Sequence, residues 1–187
     1  MSCFRRYFVP GATYFFTVVT AGRARLFADD RARTLLGEVY RQTNRSAAFE
    51  TVAIVLLPDH LHAVWTLPAG DIDYSGRWKA IKARFTSRWL ASGGSEEPVT
   101  DGYNRQRRRG VWQPRFIEHT IRDEADLHAH VDYIHYNPLK HRCAKAPNDW
   151  PWSSFHRYVK SGDYEVNWGS TRQTTPDFSN IDENLLE

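Results

Sequence analysis

Two histidines, His60 and His62, stand two residues apart inside an otherwise apolar run, "VLLPDHLHAVWTLP" (residues 55–68). Alternate side chains of a strand project to one face, so an H-x-H pair at a strand's start places two imidazoles together. That is half of a site for a divalent metal. The competing reading is that each ring only hydrogen-bonds something local. A second pair lies downstream in "HVDYIHYNPLKH". At about 100° per residue, Tyr133 and Asn137 fall one turn apart on one helix face, while Leu127, Val131 and Ile134 form a neighbouring apolar stripe. Tyr136 lies only about 60° from Tyr133 and competes with it. Both tyrosines could also serve as packing residues. From these residues alone three chemistries stay open. One uses a tyrosine nucleophile, and one uses metal-activated water with Asp59 or Glu118 as base. The third is a binding module without chemistry.

The elements that must hold these groups are legible in outline. "ATYFFTVVT" after Pro10-Gly11 has the aromatic and β-branched content of a strand, at about 13–20. Residues 29–45 read as a helix, with Asp29 and Asp30 at its N-terminus and Leu35, Leu36, Val39 and Tyr40 at helical spacing. "FETVAIVLL" (49–57) and "LHAVWTL" (61–67) read as a hairpin around the Pro58–His60 turn. Residues 73–89 read as a basic helix. "VWQPRFIEHTI" (111–121) reads as a further strand with Pro114 at an edge or bulge. "RDEADLHAHVDYIHYN" (122–137) reads as a helix capped by Asp123 and ended by Pro138. The order β-α-β-β-α-β-α matches an α+β, ferredoxin-like split βαβ fold, an antiparallel sheet with helices on one face.

The chain of 187 residues is expected to be one domain over 1–170, with a flexible basic loop at 92–110 and a polar, frayed tail at 171–187. Two cysteines, Cys3 and Cys143, are too few for a disulfide framework and lack metal spacing; a reducing cytoplasm is the expected setting. No apolar run reaches about 18 residues, so no membrane helix is expected. "FRRYFVPGATYFFTVVTAG" has some features of a secretory signal, but Pro10 and Gly11 interrupt it and strand-forming residues follow.

Net charge is only +3, yet the basic residues cluster. Arg5 and Arg6 precede the first strand. Arg77, Lys79, Lys82, Arg84 and Arg88 lie on the second helix, and Arg105, Arg107, Arg108 and Arg109 lead into Trp112. Such clusters attract phosphate, and Trp78, Trp112 and Phe116 could stack on unpaired bases. A solvated surface and an aromatic core are the ordinary alternatives.

Taken together, "FRRYFVPGATYFFTV", "LLPDHLHAVWTLP", "RWKAIKARFT", "VWQPRFIEHTIRDE", "HVDYIHYNPLKH" and "WPWSSFHRYV" resemble the REP-associated tyrosine transposases, single-tyrosine members of the HUH class. The six collinear segments cover about residues 4–168. The resemblance implies an HUH-type ferredoxin-like domain that cleaves single-stranded DNA at imperfect palindromes through a covalent 5′-phosphotyrosine and can rejoin strands. It matches Tyr133 to the nucleophile, with Tyr136 as the alternative. It matches His60, His62 and Asn137 to ligands of Mg²⁺ or Mn²⁺; insertion-sequence relatives more often have Gln in place of the Asn. From the basic clusters and aromatics above, Arg5, Arg6, Arg77, Lys82, Arg84, Trp112 and Arg115 are the expected DNA contacts, and Arg5, Arg6 and Arg115 come first because their segments carry the resemblance. It implies no nucleotide cofactor, and the chain has no G-x-x-x-x-G-K-[ST] loop. The expected partner is single-stranded DNA with REP-like hairpins, met by a monomer, with a dimer as the alternative, in the cytoplasm at the nucleoid.

Overall fold

The computed structural model describes residues 8–105 and 108–170, with Pro176, Phe178 and Ile181. In chain order the elements are β1 (Thr13–Val19), α1 (Asp30–Ser46), β2 (Glu50–Leu56), β3 (His60–Thr66), α2 (Tyr74–Ala91), a short α3 (Asp101–Arg105), β4 (Ile117–Thr120), α4 (Glu124–Lys140) and α5 (Phe155–Ser161). The sheet order is β2-β3-β1-β4, with every neighbouring pair antiparallel. β3 lies between β1 and β2, and β1 lies between β3 and β4, so both crossover units are split as the sequence suggests.

Each strand of the pair β1–β3 is buried on both faces. Phe16, Val18, Leu61, Ala63 and Trp65 point to one side and pack with Leu36 and Val39 of α1 and Trp78, Ile81 and Phe85 of α2. Trp65 stacks between Phe49 at 4.0 Å and Trp78 at 4.2 Å. Phe15 and Val64 point to the other side, where Val131, Tyr133 and Ile134 of α4 meet them. Helices therefore cover both faces, not the single face expected. A sheet whose central strands carry apolar residues in both registers needs a lid on each side.

Three boundaries also differ from expectation. α4 continues through Pro138 to Lys140; a proline near the end of a helix costs one donor, and the backbone N–H of His141 still reaches the Asn137 carbonyl at 3.0 Å. Only Ile117–Thr120 of the run 111–121 forms the β4 strand, preceded by an isolated bridge between Thr20 and Trp112. The 92–110 segment carries α3 and is tied down at its base. Trp89 Nε1 donates to the Ser95 carbonyl at 2.8 Å, Glu97 N donates to the Gly110 carbonyl at 2.8 Å, and Arg109 pairs with Glu96. Gly110 is required there, because a Cβ would fall 1.8 Å from the Glu97 carbonyl oxygen. In the tail, the described residues Phe178 and Ile181 are packed against the α4 core, with Ile181 buried.

Two residues expected on a DNA-facing surface belong to the scaffold. Trp112 is buried and packs on Phe27 at 5.5 Å and Phe85 at 5.4 Å. Arg77 is 5% exposed. Its guanidinium donates to the Ala47 carbonyl at 3.1 Å, the Ala48 carbonyl at 2.7 Å and the Asp73 carbonyl at 2.8 Å, and pairs with Asp71 at 2.6 Å. It closes the end of α1 onto the start of α2. Arg77→Leu is expected to lower the unfolding free energy by about 2–3 kcal/mol, read from urea denaturation.

Candidate active site

The β1–β3 register sets the histidines. Thr17 lies opposite His62, and Val19 lies opposite His60, so Thr17 shares the face of the two imidazoles. The Thr17 hydroxyl is 2.9 Å from His62 Nδ1, and the Asp59 carboxylate is 2.6 Å from His60 Nδ1. Both rings are buried, 4.9 Å apart and nearly perpendicular. One nitrogen of each is held locally, as the bland reading of the sequence required. The other, Nε2, is buried and has no hydrogen-bond partner among the described residues. Burial opposes the charge on Asp59, but its hydrogen bonds to His60 and Arg23 and the Arg23 guanidinium beside it hold its carboxyl down at about 2. An ionised Asp59 accepts the Nδ1 proton of His60 and leaves the Nε2 lone pair outward. Burial also holds His62 well below the usual imidazole range, reinforced by His60, His141, Lys140 and Arg23. It stays neutral, the form that binds metals.

α4 brings the second half. Asp123 caps it by accepting from Asp126 N at 2.8 Å, and Val131 and Ile134 anchor it to the sheet. The Tyr133 ring meets His62 edge-on at 5.3 Å. Asn137 is fully buried, and its Oδ1 and Nδ2 both lack hydrogen-bond partners among the described residues. Tyr136 turns toward Phe178, 5.6 Å away; among the described residues no ring contact joins it to either histidine. Two imidazole nitrogens and one amide oxygen, buried and uncommitted, fit a divalent cation that keeps open positions for other ligands.

Two residues at the end of α4 went unnoticed in the sequence. Lys140 Nζ donates to the Tyr133 hydroxyl at 3.1 Å, and the His141 ring lies 4.9 Å from that of His60. Their signal was spacing, since Lys140 follows Tyr133 by seven residues, two helical turns.

A further cluster fixes the start of α4. Asp126 accepts from His119 Nε2 at 2.8 Å and from Arg122 N at 2.9 Å and Nε at 3.1 Å, and lies 3.1 Å from His130 Nδ1. Burial works against its charge, yet Arg122 and His119 hold its carboxyl far below the ordinary range. With Arg122 already supplying the cation, this group acts as a latch between β4 and α4. Phe15 connects the latch to the site, 4.7 Å from the His130 ring and 5.5 Å from that of His62.

Of the remaining expected DNA contacts, Arg5 and Arg6 lie outside the described residues. Lys82 donates to the Gln113 carbonyl and Arg84 to Thr43 Oγ1 at 3.0 Å. Arg115 is exposed. Lys79, Lys82, Arg108 and Arg109 line a groove of about 970 Å³ beside α2, floored in part by Trp112 and Phe116.

The histidines under and along α4 make the packing acid-sensitive. Burial lowers His62, His130 and His135, the last from 6.5 to about 3. A histidine with a depressed folded pKa takes up its proton on unfolding. Its contribution is therefore complete above about pH 6.5 and is lost as the pH falls below that. In EDTA, stability is expected to fall from pH 6.5 to 4.5, with His135 alone contributing about 1.4 kcal/mol per pH unit. His135→Gln should reduce the slope by about one proton, measured by urea titration across that range.

No protein-family model matches the chain. Curated relatives do. It is 43% identical over 171 residues to a Haemophilus influenzae protein named as a REP-associated tyrosine transposase, covering 90% of this chain and 94% of the relative. It is 41% identical over 168 residues to the REP-associated tyrosine transposase of Escherichia coli, covering 90% and 91%. A solved structure of a REP-associated tyrosine transposase bound to a REP hairpin superposes with a TM-score of 0.77 at 40% identity, covering 96% of both chains. With sequence shared over 90% of its length and a fold shared over 96%, the chain belongs to the REP-associated tyrosine transposases, a family of enzymes.

Proposed function

We propose that this chain cleaves and rejoins single-stranded DNA at REP-type hairpins, with Tyr133 as the nucleophile. The observation that carries this reading is the contact of Tyr133 with His62, beside buried ring nitrogens that have no hydrogen-bond partner among the described residues. His60, His62 and Asn137 would hold a divalent cation, Mg²⁺ or Mn²⁺. When bound, that ion would polarise a non-bridging oxygen of the scissile phosphate. Asp59 and Thr17 aim the two imidazoles by holding their Nδ1 atoms.

The Tyr133 oxygen attacks phosphorus, an O–P bond forms, and the bond to the 3′ oxygen breaks. The products are a 5′-phosphotyrosine and a strand ending in a 3′-OH, with the tyrosine proton accounted for in that hydroxyl. A second 3′-OH reverses the step and joins strands. No nucleotide is consumed, since the phosphodiester is exchanged for another phosphoester. Residues 1–170 act as one catalytic unit, followed by the 171–187 tail. The histidines and tyrosine meet within one chain, which supports a monomer working in cis, at the nucleoid. Arg115, Lys82 and Arg84, together with Arg5 and Arg6, would hold the DNA backbone. The solved relative with its hairpin supports this class of substrate. Among the described residues, no helix is long and apolar enough to cross a membrane.

The test is denaturing electrophoresis with labelled single-stranded hairpin DNA, in Mn²⁺ or EDTA. Wild type and Tyr136→Phe should give a protease-sensitive shifted band that requires the metal, and Tyr133→Phe should give none. Loss only in Tyr136→Phe would move the nucleophile by three residues. Cleavage with no adduct would replace it with a hydrolase, and binding with no cleavage would leave a binding module. Separately, Asp59→Asn should weaken Mn²⁺ binding by about 10- to 100-fold, read by electron paramagnetic resonance titration of the free ion.

A further inference from the structure

We propose that Lys140 is a catalytic residue of this site, a cation that receives a non-bridging oxygen of the scissile phosphate at the Tyr133 hydroxyl. The inference rests on Tyr133 being the nucleophile. Three observations carry it. Lys140 Nζ donates to the Tyr133 hydroxyl at 3.1 Å and lies 5.0 Å from the centre of its ring. Tyr133 is 1% exposed, with Phe178 5.5 Å from its ring, whereas Lys140 is exposed, so of this hydrogen-bonded pair it is the lysine that an incoming strand can reach. Both residues sit on α4, with the buried Asn137 amide between them.

The chemistry follows from reach and charge. An attacking oxygen must come within about 3–3.5 Å of phosphorus, so the phosphate oxygens pass close to anything already hydrogen-bonded to that oxygen. An ammonium has three donors on a flexible stem. It can donate to the tyrosine oxygen and to a phosphate oxygen together. As the Tyr133 O–P bond forms and the P–O3′ bond breaks, negative charge on the non-bridging oxygens rises to a maximum, and a fixed cation beside them lowers the barrier. The same cation then faces the phosphotyrosine and serves the reverse step. A lysine in the last turn of a helix also complements the helix dipole, but that role needs no particular contact with substrate.

The test separates charge at the phosphate from support of the fold. Lys140→Cys, Lys140→Met and Lys140→Arg are compared with wild type for hairpin affinity and for single-turnover adduct formation at saturating protein. Lys140→Cys and Lys140→Met should bind the hairpin within about threefold of wild type and form adduct about 100-fold more slowly. Lys140→Arg should keep at least a tenth of the wild-type rate, roughly. Treating Lys140→Cys with bromoethylamine rebuilds an ammonium at nearly the lysine position and should restore the rate. Iodoacetamide, which adds a neutral group, should not; wild type treated alike controls for Cys3 and Cys143. Adduct formation by Lys140→Met at the wild-type rate would overturn the proposal. So would a rate loss explained by affinity alone, or recovery of Lys140→Cys with both reagents or with neither. Tyr133→Phe runs beside them: if it forms adduct, the nucleophile reading has failed. If it is inert while Lys140→Met reacts at the wild-type rate, only the role of Lys140 has failed.

Discussion

The pairing of β1 with β3 is the constraint on which the rest of this molecule depends. It sets Thr17 opposite His62 and Phe16 opposite Ala63. Because side chains alternate, a slip of one residue would send every inward group to the other face. His60 and His62 would then meet Trp78 and Phe85, and Trp65 would stand where the tyrosine helix lies. The aromatic face makes such a slip costly. Tyr14, Phe16, Trp65 and Trp78 are all fully buried, and each large side chain is worth about 1.5–3 kcal/mol in burial alone. The core on one side of the sheet thus holds the chemistry on the other side in place.

The histidine face is built on a different principle. There the buried polar groups are satisfied on one side only, by Asp59, Thr17 and Asp126, while His60, His62, His130 and Asn137 each retain a buried atom without a partner among the described residues. Such groups are costly in a folded protein, and they are tolerated where a site needs lone pairs and donors ready for a ligand. The latch at the start of α4 and the Lys140–Tyr133 contact at its end bracket these groups. The latch ties the start of the helix to β4, and the open valences lie farther along it.

Alternation and helical spacing are local signals, and they made the order of elements and the split topology legible; that His60 and His62 should face Tyr133 followed only from the resemblance to the family. It did not reveal that α4 lies on the opposite face from α1 and α2, since the side on which a helix docks depends on handedness and loop path, not on its own periodicity. Arg77 and Trp112 were misread for one reason: composition counts a basic or aromatic residue but does not say whether its donors are already used by backbone carbonyls such as those of Ala47 and Ala48. Pro138 misled in the other direction, since a helix breaker near a helix end has little left to break. Lys140 was hidden because a lone lysine after a proline looks like solvent-facing charge until its reach to Tyr133 is measured.

The hairpin between β2 and β3 has a consequence for where this chain can change length. Leu56 pairs with Leu61, and the Leu57 N–H reaches the His60 carbonyl at 2.8 Å, so the turn has no slack. One residue inserted there would rotate the histidines out of the site while leaving composition and core almost untouched. The stretch between Glu97 and Gly110 closes on itself through its own backbone hydrogen bond. Lineages can lengthen or trim it freely, so variation in size should gather there and leave the three residues between Leu56 and His60 at a constant count.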